Sequence, residues 1–427
     1  MNHFFSFRAL SFFIIALFLT KNTYASELRI INWNVNAGSV ENVAKRKDNF
    51  VELGGNQAPD ILILQEINSF AAAQLIAKYM GMKDSYLGIS NFGKDDEVIY
   101  FGLETAVISS IPIVSIDEYQ QTVYDRGSKS WIQDPNGPIT VSPSGEINYR
   151  VNESTHLLEV PADIVGEDNA KQRVSRGLLR VELENGLVIY PVHLKSNRPS
   201  LCSQISSEMS DAISNLNKIE KSLVGEDKYL QRIDKAKKSL IKIYKYNGGK
   251  NPDALGRPEI QRKLDAFTTM HALTAMSREN GAAALAKLVN KDLKSEKTKG
   301  IVIAGDFNTP LNEPSKTGQN LKEDSCMPKR LSCSTKKVIN SCGDKDGYDD
   351  THHILSGGVV DGLKMEPLFT DNKPSYIKSG YANSPIDNVY VNSQISDAVI
   401  SSKMLKDTHG GAFGSDHFPL EITLSLE

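Results

Sequence analysis

The stretch that most constrains the fold is Ile301 to Pro310, IVIAGDFNTP. It begins with β-branched and small apolar residues, which predict a strand that is buried on both faces. Gly305 follows, and a glycine there allows a sharp turn or the close approach of another group. Asp306 and Asn308 come next, and in an extended backbone their side chains would point the same way. Since Asp and Asn are also common turn residues, a capped turn explains this stretch equally well on its own.

Five other segments carry polar residues beside strand-like apolar runs. In three of them the polar residue follows the run, in one it opens the run, and in the last an adjacent pair precedes an alternating run. The residues are Asn34, Glu66 and His193, then Asp387, then Asp416 with His417. Six unrelated turns are a poor explanation for such a set, so we expect the side chains to meet in one site.

Together the six motifs resemble the endonuclease/exonuclease/phosphatase superfamily of metal-dependent phosphodiesterases. This superfamily includes deoxyribonuclease I, abasic-site endonucleases, neutral sphingomyelinases and inositol-phosphate phosphatases. The segments GDFN, LQE and SDHFPL are specific in combination, and the motifs occur in the family's order between Ile30 and Leu424. The resemblance implies an α/β fold, a four-layer sandwich of two mixed, largely antiparallel β-sheets flanked by helices.

The resemblance also implies a metal site and a pair of acid/base residues. Asn34, Glu66 and Asp416 would hold the metal, since a carboxylate at the end of a buried strand is otherwise costly. Ligation by oxygen alone favours Mg²⁺ or Mn²⁺, with Ca²⁺ as an alternative structural support. Imidazole titrates near neutral pH, which makes His193 and His417 the acid/base candidates.

The two histidines are assigned different partners by this resemblance. Asp387 would orient His417, which contacts the phosphate. His193 would act on the leaving-group side, with Glu104 as its orienting carboxylate. Glu104 stands in FGLETAVISS, where many relatives have Gly or Asn before the Ala.

Three further residues would act on the water and the phosphate. Asp306 would polarise the attacking water, and Asn308 would donate a hydrogen bond to a phosphoryl oxygen. Arg176, in SRGLLRV, aligns with a phosphate-contacting Arg of some relatives, and a strand-edge salt bridge is its alternative role. Donors of this kind are needed because charge grows on the phosphoryl oxygens during hydrolysis.

The N-terminus predicts a targeting segment. Arg8 precedes the apolar run Ala9 to Leu19, and Thr23-Tyr24-Ala25 offers small residues at a cleavage spacing. The run is short for a bilayer span. We therefore expect a secretory signal peptide at 1–25 and a secreted or periplasmic protein, with an uncleaved anchor as the alternative. The catalytic domain would then occupy 26–427.

The connection between the His193 and Ile301 strands is about twice the length that a crossover needs. It is rich in Lys, Ser, Ala and Asn and has helical periodicity. We expect a helical insertion at about 202–269, followed by a crossover helix at 270–293. The insertion would present a solvated helical face or, alternatively, a binding surface.

The cysteines fit an exported protein, because all four lie in long connections outside the core motifs. They are Cys202, Cys326, Cys333 and Cys342. Two structural disulfides are expected, and three pairings are open.

Local patterns predict several smaller features. Asn185-Gly186 lies between two alternating runs and predicts an antiparallel hairpin. Ser69 is expected to cap a helix that ends near Tyr79. Two paired strands are expected between Glu97 and Val114, and a further strand at Val359 to Asp361.

These features predict an exported, divalent-metal-dependent phosphodiesterase. Nucleic acid is the expected substrate class, and the protein is expected to be a monomer. The net charge of −3 gives no overall nucleic-acid footprint, so the polyanion would meet a local basic face and the metal. The segment PVHLKS resembles the deoxyribonuclease and sphingomyelinase branches, because abasic-site endonucleases carry a Tyr-containing motif there.

Two other functions stay open. One keeps the mechanism and changes the substrate to a phospholipid such as sphingomyelin, or to a small phosphate ester. Trp131-Ile132, in an expected loop or hairpin at 119–149, is the candidate for membrane contact. The other is a secreted binding protein that keeps the fold without catalysis.

Overall fold

The computed structural model describes residues 26–91, 104–120, 123–125, 130–132, 137–149, 151–170, 174, 176–194, 277–309, 311, 351–357, 359–371, 373–377 and 385–426. The signal segment at 1–25, the insertion at 202–269 and all four cysteines lie outside these ranges, so the expectations for them stay predictions. Within the described ranges, every helix is too short or too polar to span a bilayer.

Strands supply most of the described elements. They are β1 Ser26–Gly38, β2 Ile61–Ile67, β3 Tyr86–Ile89, β4 Glu104–Ser109, β5 Ile113–Gln120, β6 Val123–Asp125, β7 Ser130–Ile132, β8 Ile139–Val141, β9 Asn152–Leu157, β10 Leu178–Leu183, β11 Leu187–His193, β12 Gly300–Asp306, β13 Met365–Pro367, β14 Asp387–Asn392, β15 Val399–Met404 and β16 Leu420–Leu426. The helices are α1 Val40–Lys45, α2 Lys47–Gly54, α3 Phe70–Tyr79, α4 Ala162–Val165, α5 Glu167–Ala170, α6 at 277–292, α7 Thr351–Leu355 and α8 Ser393–Ser396.

Two seven-stranded sheets carry the fold. Sheet I has the order β15-β16-β1-β2-β4-β3-β8, and sheet II has the order β13-β14-β12-β11-β10-β5-β9. Both are mixed: β1 and β2 are parallel in sheet I, β11 with β12 and β5 with β9 are parallel in sheet II, and the other pairs are antiparallel. The predicted pair of mixed, largely antiparallel sheets is therefore confirmed.

Three apolar clusters separate four layers. The central cluster lies between the sheets, where Ile30 and Ile63 of sheet I meet Val181 and Val302 of sheet II. An outer cluster packs α1 to α3 on sheet I, and another packs the alanine-rich α6 on sheet II. Each fully buried Val, Leu or Ile contributes about 1.5–3 kcal/mol, so the sheets are held chiefly by this burial. The four-layer sandwich agrees with the prediction.

Alternation along the strands brings polar side chains into the space between the sheets. Val302 and Ala304 of β12 face the central cluster, and Asp306 is the next residue on that face. His193 continues the same alternation in β11, and Asn34 continues it in β1. The apolar filling thus ends where these polar residues begin, at one end of the sandwich.

Two local predictions are confirmed. β10 and β11 form an antiparallel hairpin, in which Val181 pairs with Ile189 across the Asn185-Gly186 turn. Ser69 caps α3, since its hydroxyl accepts a hydrogen bond from the Ala72 backbone N–H at 3.3 Å.

The strand predicted at Val359 to Asp361 is wrong. That segment is a turn, flanked by Gly357 and Gly362 with φ of 88° and 80°, and the strand follows it at Met365–Pro367. The glycines set this boundary because left-handed backbone cannot continue a strand ladder.

The pairing expected between Glu97 and Val114 stays a prediction, because the first of its two strands would lie before Glu104. β4 pairs with β2 and β3 in sheet I, whereas β5, from Ile113, belongs to sheet II. The chain crosses from one sheet to the other at Pro112. The earlier half of this segment, 92–103, lies outside the described residues.

The segment expected as a loop or hairpin at 119–149 contains a two-stranded ribbon of β6 and β7. Tyr124 lies opposite Trp131 in its register. Farther along the chain, α6 at 277–292 falls inside the crossover helix expected at 270–293.

Candidate active site

Glu66 enters the cleft between the sheets through an irregularity in β2. Gln65 and Ile67 pair with consecutive residues of β4, so Glu66 is an extra residue in the ladder. Its φ of 61° is left-handed. Leu64 and Ile67 both pack on the helix side of sheet I, although three residues separate them. This β-bulge re-aims Glu66 away from the helix layer and towards the cleft.

Asn34 joins the two sheets at the site. Its Nδ2 donates to Glu66 Oε1 at 3.2 Å on sheet I and to Asp306 Oδ2 at 3.1 Å on sheet II. Its Oδ1 accepts from the Asn36 backbone N–H at 3.0 Å, which fixes the orientation of the amide. Asn34 is fully buried, so its amide holds two carboxylates on either side of it.

Asp306 is the last residue of β12, which lies between β11 and β14 in sheet II. His193 is its register partner on β11, and Asp387 is its partner on β14. Gly305, just before it, approaches β11 so closely that a Cβ would lie 1.8 Å from the Val192 carbonyl oxygen. The sequence predicted either a sharp turn or a close approach of another group at Gly305, and the structure shows the close approach. The approach brings Asp306 next to His193.

The backbone after Asp306 turns rather than extends. Asn308 has a φ of 55°, and its backbone N–H donates to Asp306 Oδ1 at 2.8 Å. Its side-chain amide donates to the Leu194 carbonyl at 3.0 Å. Of the two alternatives that the sequence left open, an extended backbone and a capped turn, the structure has the turn. The Asp306 carboxylate closes the turn, as Asp often does.

His417 and Asp387 form a buried pair. Nδ1 of His417 lies 2.9 Å from Asp387 Oδ2 and 3.1 Å from Oδ1, and Nε2 lies 3.8 Å from Asp306 Oδ2. Burial lowers the pKa of His417, but the charges of Asp387 and Asp306 outweigh it and raise the pKa to about 10. His417 is therefore a cation at neutral pH, with Nδ1 committed to Asp387 and Nε2 directed at Asp306.

Burial shifts the pKa of Asp306 in the opposite direction, since it disfavours the charged form of both groups. It raises the pKa of this carboxyl to about 7, while the positive charge of His417 lowers it, the charge of Asp387 raises it and that of Arg176 lowers it. A carboxyl with a pKa near 7 can take up and release a proton at neutral pH.

His193 and Arg176 complete the sheet II side. His193 Nε2 lies 3.7 Å from both Glu66 Oε1 and Asp306 Oδ2. Arg176 Nη1 donates to the Leu194 carbonyl at 2.7 Å and to the His193 carbonyl at 3.4 Å. The predicted residues His193 and Arg176 therefore both lie at the cleft, with Arg176 held by the backbone at the end of β11.

Two predicted residues have other described contacts. Glu104 Oε2 accepts from the Ser90 hydroxyl at 2.5 Å. The Asp416 carbonyl accepts from the Ile377 backbone N–H at 2.8 Å, and the charge of Asp416 helps to raise the pKa of His417. The orientation of His193 by Glu104 and metal ligation by Asp416 stay predictions.

A protein-family model matches the sequence over most of the chain. The model, described as Endonuclease/Exonuclease/phosphatase family, matches residues 31–417. The chain belongs to this family. Members of the endonuclease/exonuclease/phosphatase family are hydrolases that act on phosphoester bonds. Comparison with curated proteins finds no match.

Solved structures of the endonuclease/exonuclease/phosphatase family resemble the chain distantly. A family protein from Leptotrichia buccalis C-1013-b is 12% identical, with 93% of this chain and 99% of that chain covered and a TM-score of 0.43. A second, from Bacteroides vulgatus, is 10% identical over 94% and 100%, with a TM-score of 0.42. A 3'-5' exonuclease from Neisseria meningitidis is 13% identical over 93% and 100%, with a TM-score of 0.39.

The residues of this family site fit a hard divalent cation. Glu66 and Asp306 bracket the Asn34 amide, and their carboxylate oxygens are the donors that such ions prefer. Asp306, Asp387 and His417 also offer ligand atoms within 4.8 Å of one another. Nδ1 of His417 is engaged by Asp387, which leaves fewer of this group's atoms to bind an ion. The oxygen atoms of Asn34 and Glu66 would hold a cation on the other side of Asp306.

Three residues at the family site were missed in the sequence. The Ser375 hydroxyl accepts from the Ile386 and Asp387 backbone N–H groups at 2.9 and 3.0 Å. The Tyr376 ring lies 4.7 Å from the His417 ring. Ser415 donates to the Asn34 carbonyl at 2.7 Å and accepts from the His417 N–H. Ser415 could have been found within SDHFPL, whereas Ser375 and Tyr376 stand in a polar loop without periodicity.

Proposed function

We propose that this protein is an exported, Mg²⁺-dependent phosphodiesterase that hydrolyses nucleic acid, with Mn²⁺ as the alternative ion. The observation that carries the proposal is the buried Asp387–His417 pair, which points Nε2 at Asp306 beside the Asn34–Glu66 cluster. An acid, a base and a cation-binding set thus converge at one end of the cleft.

The side chains divide the work of hydrolysis between them. Asp306 accepts a proton from the attacking water, a task for which a pKa of about 7 is suited. The His417 cation, fixed by Asp387, donates a hydrogen bond to a phosphoryl oxygen as charge grows there. The new P–O bond forms from the water as the bond to the leaving oxygen breaks, and His193 supplies the proton that this oxygen takes up.

Positive charge and donors hold the phosphate in place. Arg176, anchored on the Leu194 carbonyl, and the second N–H of the Asn308 amide supply donors. Glu66 and Asn34, with Asp416 as a further ligand, would hold a divalent cation, which would supply positive charge opposite the phosphoryl oxygens. This combination suits a phosphodiester, whose hydrolysis depends on positioning and electrostatic stabilisation.

The sequence around His193 supports nucleic acid as one of two substrate classes. PVHLKS resembles the deoxyribonuclease and sphingomyelinase branches, so a phospholipid or a small phosphate ester is the substrate to test against nucleic acid. Export is supported by the charged, apolar and small-residue pattern of 1–25. Fractionation of expressing cells should find the protein outside the cytoplasm, shortened by about 25 residues.

A substrate panel tests the activity. Purified protein is given DNA, RNA, sphingomyelin vesicles and inositol phosphates, each with Mg²⁺ and with EDTA. We expect acid-soluble nucleotides with Mg²⁺, none with EDTA, and none from Asp306→Ala. Asp48→Ala, at an exposed position of α2, is the matched control and should keep wild-type activity. If a lipid or a small phosphoester is hydrolysed while DNA and RNA are not, the proposal of a nucleic-acid substrate is overturned. If no substrate of the panel is hydrolysed, the proposal that the protein is a phosphodiesterase is overturned.

A further inference from the structure

We call the turn at 306–309, which carries Asp306 and Asn308, the catalytic turn. His352 lies behind this turn, on the helix side of sheet II. It belongs to α7 and is 6% exposed. Its Nε2 lies 2.9 Å from the Thr309 carbonyl oxygen, and its Nδ1 lies 2.5 Å from the Tyr390 hydroxyl. Thr309 comes three residues after Asp306, and Tyr390 comes three residues after Asp387. One side chain therefore joins the two segments that carry the carboxylates of the site.

The direction of these hydrogen bonds follows from their partners. A carbonyl oxygen only accepts, so Nε2 of His352 carries the hydrogen that Thr309 receives. In a neutral imidazole, Nδ1 is then the acceptor, and the Tyr390 hydroxyl donates to it. Burial raises the pKa of Tyr390 well above its ordinary value, which keeps this hydroxyl protonated. The bonds form a directed chain from Tyr390 through His352 to Thr309.

Aromatic packing holds the same turn from below. The Phe307 ring lies 5.2 Å from the His352 ring and 5.5 Å from the Tyr390 ring, and the His352 and Tyr390 rings stack at 5.9 Å. Phe307 and Tyr390 are fully buried. Since Phe307 directly follows Asp306, a shift of the catalytic turn would require these three rings to repack.

Described hydrogen bonds hold the turn on both sides once it leaves the sheet. The last ladder-like bond runs from the Phe307 N–H to the Ile386 carbonyl at 2.9 Å. Asn308 is then held on the cleft side by Asp306 and Leu194. The Thr309 carbonyl points the other way, to His352. Resting on the proposed function, we propose that His352 is a positioning residue that fixes the turn aiming Asp306 and Asn308 at the substrate.

Two substitutions at His352 separate positioning from folding. His352→Gln keeps a donor that reaches Thr309, whereas His352→Leu keeps apolar packing and removes the donor. A catalytic group displaced by about 1 Å can cost about 10²-fold in rate. We therefore expect kcat of the Leu variant to fall about 30-fold or more, with KM within about threefold, and kcat of the Gln variant to stay within about fivefold. Rates are normalised to the folded fraction.

The melting temperatures decide between this role and a structural one. Both variants lose the bond from Tyr390, and the Leu variant also loses the bond to Thr309, so it should melt lower; a difference in kcat per folded molecule then marks positioning. Equal loss of kcat in the Gln and Leu variants, or a wild-type kcat per folded molecule in the Leu variant, would overturn the proposal. Tyr390→Phe keeps the ring packing and should lower kcat less than His352→Leu does.

Two further measurements do not depend on turnover. Nitrogen-15 NMR of the wild type should find His352 neutral at pH 7 with its hydrogen on Nε2, and the other tautomer or a cation would overturn the proposal. Calorimetry should find Mg²⁺ affinity about tenfold weaker in His352→Leu and within about threefold of wild type in His352→Gln. A wild type that cleaves no phosphoester would thus end the proposed function while these readouts still decide the role of His352.

Discussion

Asp387 places its carboxylate 2.9 Å from Nδ1 of His417, and both side chains are buried at the end of the cleft. The contact fixes which imidazole nitrogen faces inward, because Nδ1 is engaged and Nε2 is directed at Asp306. The Trp33 indole N–H donates to the His417 carbonyl at 2.8 Å, and the His417 backbone N–H donates to the Ser415 hydroxyl. The pair is therefore pre-organised from both its side chain and its backbone.

Replacing Asp387 by Asn should remove this orientation while keeping the side-chain shape. The pKa of His417 falls because its nearest negative charge is gone, so less of the imidazole is cationic at pH 8. We expect kcat to fall about 10²-fold to 10⁴-fold. Steady-state kinetics at several pH values should also show that, as the pH rises, the variant loses its activity at a lower pH than the wild type does. A kcat within threefold of wild type would contradict this role, and Asp371→Asn, in an exposed loop, is the control.

The pKa of Asp306 predicts how stability depends on pH without metal. Its folded value of about 7 lies above its ordinary value of 3.8, so the folded protein holds a proton that the unfolded chain releases. The stabilisation of the folded protein by this proton is complete below pH 3.8 and is lost as the pH rises through 7. Urea unfolding in EDTA should find Asp306→Asn more stable than wild type at pH 8, by on the order of a few kcal/mol.

The same experiment has two internal checks. Below pH 4 the two proteins should have similar stability, because Asp306 is then protonated in both states. Mg²⁺ should stabilise the wild type at pH 8 more than it stabilises Asp306→Asn, since a nearby cation also favours the ionised Asp306 carboxyl. Identical pH profiles for the two proteins in EDTA would contradict the raised pKa.

Removing the Asn34 amide should weaken metal binding. Its two hydrogen bonds hold Glu66 and Asp306 apart at a fixed distance, and without them the two carboxylates repel freely. We expect Asn34→Ala to bind Mg²⁺ about 10-fold to 100-fold more weakly by calorimetry. Asn290→Ala, whose amide contacts the Asp361 carbonyl away from the cleft, should bind as wild type does. Unchanged affinity in Asn34→Ala would place the metal elsewhere.

Ser375 should matter for stability as well as for activity. Its hydroxyl accepts from two buried backbone N–H groups, those of Ile386 and Asp387, and Ser375→Ala leaves both without this acceptor. The cost is about 2 kcal/mol in urea unfolding, with a lower kcat because Asp387 loses a support. Ser396→Ala, in the exposed α8, should change neither. A Ser375→Ala protein with wild-type stability would contradict this role.

The sequence was informative wherever the physics is local. Asn185-Gly186 predicted the hairpin because left-handed turn residues are needed there, and Ser69 predicted the start of α3 because few residues cap a helix. The motif residues Asn34, Asp306, Asp387 and His417 could be found because a polar residue beside a buried run is costly without a role.

What escaped the sequence depends on contacts between distant segments. The turn at Asn308 is set by the Asp306 carboxylate and the distant Leu194 carbonyl, so the sequence alone could not choose between a turn and an extended backbone. Tyr376 and Ser375 reach His417 and Asp387 only through the packing of one loop on another. The turn at Val359 to Asp361 was mistaken for a strand because its apolar residues pack on sheet II without joining it.

The bulge at Glu66 has a consequence for the direction of its carboxylate. The carboxylate faces the cleft only because β2 holds one residue more than its partner between Leu64 and Ile67. A regular strand with the same four residues and no bulge would turn Glu66 towards the helices, on the side of Leu64, and Ile67 towards the cleft. The orientation of this carboxylate therefore depends on the bulge as well as on the motif that carries it.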